Sequence, residues 1–191
     1  IEPLVFTCYG DLIAKDVWVG SDSKKKDSTI VALHQISAKG RARFTDADVQ
    51  IETQLNIGND WGRASGSVEF KEGFNFDFST PELDLANVKN LIDLKWRGKI
   101  ALEGNTRGDS DAAVLKVKGS TKGLSLEDYY FDQLQTNLIY EKGTLALDNT
   151  EFNVEGLKAQ GRLALDFDAK PRTTIQGNFK IPQLSFPGIR A

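Results

Sequence analysis

The chain has 191 residues, 40% of them hydrophobic and 27% charged, a balance that excludes a disordered tail and provides enough apolar matter for a folded domain. Its formal net charge of -3 is too small for a nucleic-acid-binding surface or an acidic tail. The single cysteine, Cys8, excludes an internal disulfide, and the single histidine, His34, has no second His and no suitable cysteine set to complete a zinc site with it.

In chain order the sequence alternates apolar and polar residues at the period of a strand with one buried face, and helical periodicity is almost absent. Val17 and Val19 open a short strand, followed by the polar run Gly20 to Ser28, which reads as a hairpin loop. Val49, Ile51, Thr53, Leu55 and Ile57 oppose Gln50, Glu52, Gln54 and Asn56, and the theme continues through Val68, Phe70, Phe74, Phe76 and Phe78 around the turn Lys71-Glu72-Gly73. The stretch Pro81 to Asp93 is mixed and predicts one short helix near 83–92. Trp96, Gly98, Ile100 and Leu102 alternate with Arg97, Lys99 and Ala101, and the polar run Gly104 to Asp111 predicts a turn. Leu115 and Val117 then face away from Lys116 and Lys118. Beyond the turn Glu141-Lys142-Gly143, Leu145 and Leu147 form one phase, and Phe152 and Val154 form another. The longest in-phase series runs Leu157, Ala159, Gly161, Leu163, Leu165, Phe167. After a turn at Asp168 to Pro171 the last series is Ile175, Gly177, Phe179, Ile181.

This makes about a dozen strands near the usual five or six residues each, all antiparallel, because links this short cannot make a parallel crossover. Residues 1–191 read as a single domain with no linker. The absence of any methionine and the beginning Ile1-Glu2-Pro3 predict a piece of a longer protein. No run approaches the roughly 18 apolar residues of a membrane helix, and no signal peptide is recognisable, so any membrane anchor of the parent lies outside these residues.

A sheet of this extent, apolar on one side, must bury that side to offset chain entropy, at roughly 25 cal/mol per Å². It can close as a barrel, fold into a sandwich, or bend into a trough filled by something else. The hairpin links give a meander, and a meander that never returns over itself leaves a groove. Pattern alone does not choose between that groove and a protein-filled core.

Tyr140 to Phe167 (YEKGTLALDNTEFNVEGLKAQGRLALDF) resembles the repeat style of the AsmA-like family, especially its TamB-like members. Gly119 to Leu134 fits the strand that precedes such a unit, Gly66 to Leu85 looks like another, and the resemblance covers most of the chain from about Val49 onward. It implies an all-β fold, an elongated antiparallel meander sheet curled into an apolar trough of the β-taco kind. It also implies a periplasmic location, with the parent anchored in the inner membrane of a Gram-negative cell. The function implied is carriage of phospholipid toward the outer membrane, in support of outer-membrane biogenesis, with an outer-membrane β-barrel assembly protein as a possible partner. Acyl chains would then lie along Trp96, Ile100, Leu102, Leu115, Val117, Leu145, Leu147, Phe152, Val154, Leu163, Leu165, Phe167, Ile175, Phe179 and Ile181, each of which also fits plain core packing.

Catalytic chemistry finds little support. No nucleophile elbow, phosphate loop or dinucleotide fingerprint is present. Asp46-Ala47-Asp48 and Asp109-Ser110-Asp111 lack the spacing of a calcium loop, and Glu127-Asp128 fits a turn better than a glycosidase pair. Arg107-Gly108-Asp109 in a polar turn is a chance tripeptide, and Lys24-Lys25-Lys26 fits a solvated loop. The sequence therefore predicts no enzyme and no cofactor. The rival functions are a β-sandwich or β-solenoid module for adhesion or carbohydrate binding, and a ligand-free spacer sealed by its own neighbours.

Overall fold

Hairpin links, four of them only two residues long, organise the chain into one continuous ladder. A computed structural model describes residues 4–20, 29–89, 95–109, 112–154, 156–166 and 174–183. Its strands are β1 Phe6–Gly20, β2 Thr29–Phe44, β3 Asp48–Ile57, β4 Asp60–Glu69, β5 Gly73–Asp84, β6 Val88–Lys89, β7 Trp96–Gly108, β8 Val114–Leu126, β9 Tyr129–Glu141, β10 Thr144–Val154, β11 Leu157–Asp166 and β12 Thr174–Gln183. They form a single twelve-stranded antiparallel sheet in the order β1-β2-β3-β4-β5-β7-β8-β9-β10-β11-β12, a meander that does not close into a barrel. Only β6 leaves the path, pairing with β2 through Ala32↔Lys89 and Leu33↔Val88.

The loops explain the meander. Between Glu141 and Thr144 the two loop residues, Lys142 and Gly143, both have positive φ (47° and 72°), the primed turn whose twist matches the flanking strands. At the β8–β9 turn Glu127 has φ 51°, its N–H donates to the Lys95 carbonyl (2.9 Å), and its Oε1 accepts from the Lys95 N–H (2.8 Å). That hairpin is thereby tied to the start of β7.

The strands are longer than the sequence pattern suggests, 10 to 16 residues apart from the 2-residue β6. Bulges are the reason: each resets the alternation, so one strand reads as two. The two phases Leu145/Leu147 and Phe152/Val154 belong to one strand, β10, whose register shifts between Leu147 and Thr150 around Asn149 at φ 49°. Likewise β1 is a 15-residue strand, not a short one beginning at Val17; Asp16 at φ 51° interrupts its pattern. The run from Gly104 is not a turn, since β7 continues through Gly108, where a polar face alternates with Gly104 and Thr106. His34 lies in β2. The predicted short helix reduces to a single 3-10 turn, Leu85–Asn87, capped by the Asp84 carboxylate accepting from the Ala86 N–H (2.9 Å). The predicted loop at 21–28, the turn from Asp168 to Pro171, Phe167, and Ser110-Asp111 lie outside the described residues.

That 3-10 turn and β6 sit over the β3–β4 hairpin. Asp60 Oδ2 accepts from the Asp84 N–H (2.8 Å) and the Asn87 amide (2.9 Å), and the side chains of Leu83 and Leu85 are buried beside it. Elsewhere burial is scarce: Leu124, Ala146 and Ala159 complete the buried hydrophobic set of the described residues. The accessible surface is 13903 Å², against about 9,000 Å² for a compact 21.1 kDa protein. Among the described residues the strands form one sheet, and a single layer exposes both of its faces.

Because Asn149 holds a left-handed conformation, Asn149→Val is expected to destabilise the fold by about 1–2 kcal/mol, while Asn149→Gly is neutral or slightly stabilising. Urea titrations of the two variants measure this, and equal behaviour would rule out the bulge geometry.

Candidate functional site: an uncovered apolar sheet face

Antiparallel partners share a face, so the register defines which side chains lie together. One row crosses the sheet unbroken from β1 to β12: Cys8, Ala42, Ile51, Gly66, Phe76, Thr106, Leu115, Tyr140, Leu145, Leu165 and, by backbone pairing, Ile175. The next row on the same face is Gly10, Gly40, Thr53, Ala64, Phe78, Gly104, Val117, Leu138, Leu147, Leu163 and Gly177. Between them, on the other face, runs Tyr9, Arg41, Glu52, Ser65, Asp77, Asn105, Lys116, Ile139, Ala146, Ala164 and Gln176. The charged side chains of these three rows, Arg41, Glu52, Asp77 and Lys116, all lie in the last, beside the apolar Tyr9, Ile139, Ala146 and Ala164.

The register brings the remaining sequence-predicted positions onto the apolar face. Leu102 pairs with Thr80 and Gly119, Ile100 with Leu83, and Trp96 with Leu126. Phe152 pairs with Leu134 and Ala159, Val154 with Leu157, and Phe179 with Gly161; Ile181 follows two residues along. Most of these side chains are half-buried, while Phe179 and Ile181 are 42% and 48% exposed. The sequence reading omitted the β9 contribution, Phe131, Leu134, Leu138 and Tyr140. Its signal was the alternation of Leu134, Thr136, Leu138 and Tyr140 with Gln133, Gln135 and Asn137, obscured by Ile139 on the wrong phase.

Aromatic rings pave the face. The Phe131 and Phe152 rings meet edge to face at 5.9 Å, as do Phe152 and Phe179 at 5.8 Å. Glycines lie beneath such rings: a Cβ on Gly104 would meet the Phe78 ring at 2.6 Å, and one on Gly66 would meet Phe76 at 2.7 Å. The ring of Phe179 covers Gly161 in the same way. The aromatic therefore replaces the side chain its partner lacks, and the wall stays level.

The polar atoms on this face are turned inward. Thr121 donates to the Lys99 carbonyl (2.5 Å), Thr80 to the Trp61 carbonyl (2.8 Å) and Thr53 to the Lys39 carbonyl (3.2 Å). Thr136 and Thr150 bond each other at 2.8 Å. Each of these hydroxyls is satisfied by protein. Asp60 lies on this face, and its carboxylate is taken by the Asp84 N–H and the Asn87 amide at the hairpin.

The opposite face holds exposed ion pairs, Arg41 with Glu52 (2.8 Å), Lys99 with Glu82 (2.6 Å) and Arg162 with Asp148 (2.6 Å). Open clefts there run between polar side chains, one lined by Asp77, Asn105, Lys116, Lys118 and Asn137 and another by Arg63, Glu103, Ser120 and Gln135. The hydrogen bond and charge of Arg41 hold the Glu52 carboxyl below the usual carboxylate range, and hydrogen bonds from Thr45 and Gln50 do the same for Asp48. A depressed folded-state pKa adds stability above the unfolded value, lost as pH falls through the folded one. With Arg41 and Glu52 exposed and Asp48 only half-buried the effect is small: Tm is expected to stay level from pH 7 to about 5 and to fall only below about 4. The acid limb shrinks in the Asp48→Asn, Glu52→Gln double variant; a drop already at pH 6 to 7 would contradict this.

No cluster of metal-binding side chains occurs among the described residues, and Asp46 and Asp48 sit in a turn where Asp48 is bonded to the Thr45 hydroxyl. Asp109, at the end of β7, accepts from the Ala112 N–H (2.8 Å), as an ordinary turn carboxylate does. Among the described residues no helix is long and apolar enough to cross a membrane. Compared with family models, curated proteins and solved structures, the chain matches none of them.

Proposed function

We propose that the apolar face holds the acyl chains of phospholipid, and that the sheet is a segment of a lipid conduit spanning the periplasm between inner and outer membrane. In this reading the sheet curls along its length into a trough whose inner wall is that face. Headgroups stay in water at the mouth. Each methylene taken from water contributes about 0.8 kcal/mol, and a level wall without a deep pocket lets a chain slide instead of trapping it. The observation that carries the reading is the row of mostly apolar and small side chains that crosses the sheet from β1 to β12, with no second layer on it among the described residues. The resemblance of Tyr140 to Phe167 to AsmA-like and TamB-like repeats supports the periplasmic setting, outer-membrane biogenesis as the purpose and a β-barrel assembly protein as a partner.

Photo-reactive residues placed at Leu147, Leu165 and Phe179 in cells test it. Labelling by membrane lipid at these positions, with none at Lys116 on the other face, is the expected result. Silence at all three positions, or lipid-free protein on extraction and mass spectrometry, would sink the proposal.

A further inference from the structure

We propose that the face opposite the apolar wall carries a binding site for a polysaccharide strand of β-1,4-linked pyranose rings, in the cleft that runs from Trp61 to Gln135. The cleft has a volume of about 660 Å³ and crosses β4, β5, β7, β8 and β9. Each of these strands is paired on both sides, so the site owes nothing to an edge of the sheet. Four strand spacings make it about 19 Å long, enough for a short oligosaccharide. Pro81, Ala101 and Ser120 have short side chains and floor it, Ala101 pairing with Ser120 and Ser120 with Gln135.

Trp61 closes one end. It pairs with Asn56, out of phase with the apolar row, and its ring stays 45% exposed. The Arg63 guanidinium lies over that ring at 5.5 Å, which holds the indole as a fixed platform. A pyranose presents C–H groups on its faces and hydroxyls around its rim. The C–H groups stack on an indole, whose π-cloud is negative. The hydroxyls, donors and acceptors at once, need partners of both kinds. The cleft supplies them: Glu103 accepts, Lys118 donates, and Gln135 and Asn137 do both. Among the described residues none of these four has a side-chain hydrogen bond or ion pair within the protein. Elsewhere the exposed charges are paired, Arg41 with Glu52 and Arg162 with Asp148. Charges of both signs in the cleft disfavour a polyanion or a membrane surface, and interior strands offer no free backbone to an extended peptide. The β-1,4 linkage follows from shape: it gives a straight, flat ribbon that matches a cleft laid along the register, whereas an α-1,4 linkage coils. The site does not depend on what the apolar face holds.

Isothermal titration calorimetry of the full chain with cellohexaose and chitohexaose reads the outcome. At least one of the two is expected to bind with a Kd of about 1 mM or tighter, and the tighter one shows whether the strand carries acetamido groups. Trp61→Ala weakens that binding at least about tenfold, Trp61→Phe retains part of it, and Gln135→Ala at the far end weakens it severalfold. Lys158→Ala, on the same face outside the cleft, leaves it unchanged. Circular dichroism confirms that each variant keeps its strands. Binding of neither hexasaccharide overturns the proposal. So does binding that survives both Trp61→Ala and Gln135→Ala, or equal affinity for the α-linked maltohexaose.

Discussion

Leu165→Asp is expected to abolish phospholipid binding while leaving the sheet folded. Leu165 sits next to the β12 end of the row from Cys8 to Ile175, half-buried between Leu145 and the β12 backbone. Bringing a carboxylate into hydrocarbon costs about 2.5–3.5 kcal/mol on insertion scales, which is roughly a hundredfold in affinity. The folded chain without lipid meets no such penalty, because the position borders solvent and the charge stays wet; loss of a half-buried leucine costs about 1 kcal/mol. Lys158→Asp, on the exposed side of the same strand, is the control and should retain lipid. Mass spectrometry of lipid extracts, read beside thermal unfolding, separates the outcomes. If the variant unfolds and no lipid accompanies the wild type, the face is a sealed core and the conduit fails. Phe152→Asp repeats the test at the aromatic cluster with Phe131 and Phe179.

The opposite balance holds at Leu124, where Leu124→Ala should damage the fold and spare the surface chemistry. Leu124 is 1% exposed, the best-buried large side chain of the described residues, paired with Gly98 and Phe131 where β8 carries Gly123 at φ 80°. Truncation there leaves a cavity costing about 2–5 kcal/mol, a fall in Tm of about 10 °C for a chain of this size. Differential scanning calorimetry measures it. A loss under about 1 kcal/mol would mean that β7, β8 and β9 do not pack around this residue as described.

The contrast between these two positions shows how far the sequence could be read. Alternation identified strands from Val49 onward and the antiparallel links, but it passed over β9 with Phe131, Leu134, Leu138 and Tyr140. It failed where backbone geometry broke the period. Asn149 and Asp16 hold positive φ, and each such residue splits one long strand into two apparent phases. Pro81 begins an excursion whose pairing partner, β2, lies three strands away in the sheet, a contact no local pattern encodes. Leu124 escaped notice because neighbouring Gly123 resets its phase, so the best-buried leucine looked like a residue of the polar series.

By itself, the sequence determined the class of structure: all-β and antiparallel, in one meander. The reason is that alternation and turn chemistry are local, carried by residues a few positions apart. Whether the strands would close, stack or stay open was decided only by the tertiary structure. That outcome depends on summed twist, on bulges and on the register of distant strands, and here it leaves the described strands in one antiparallel meander sheet that does not close into a barrel.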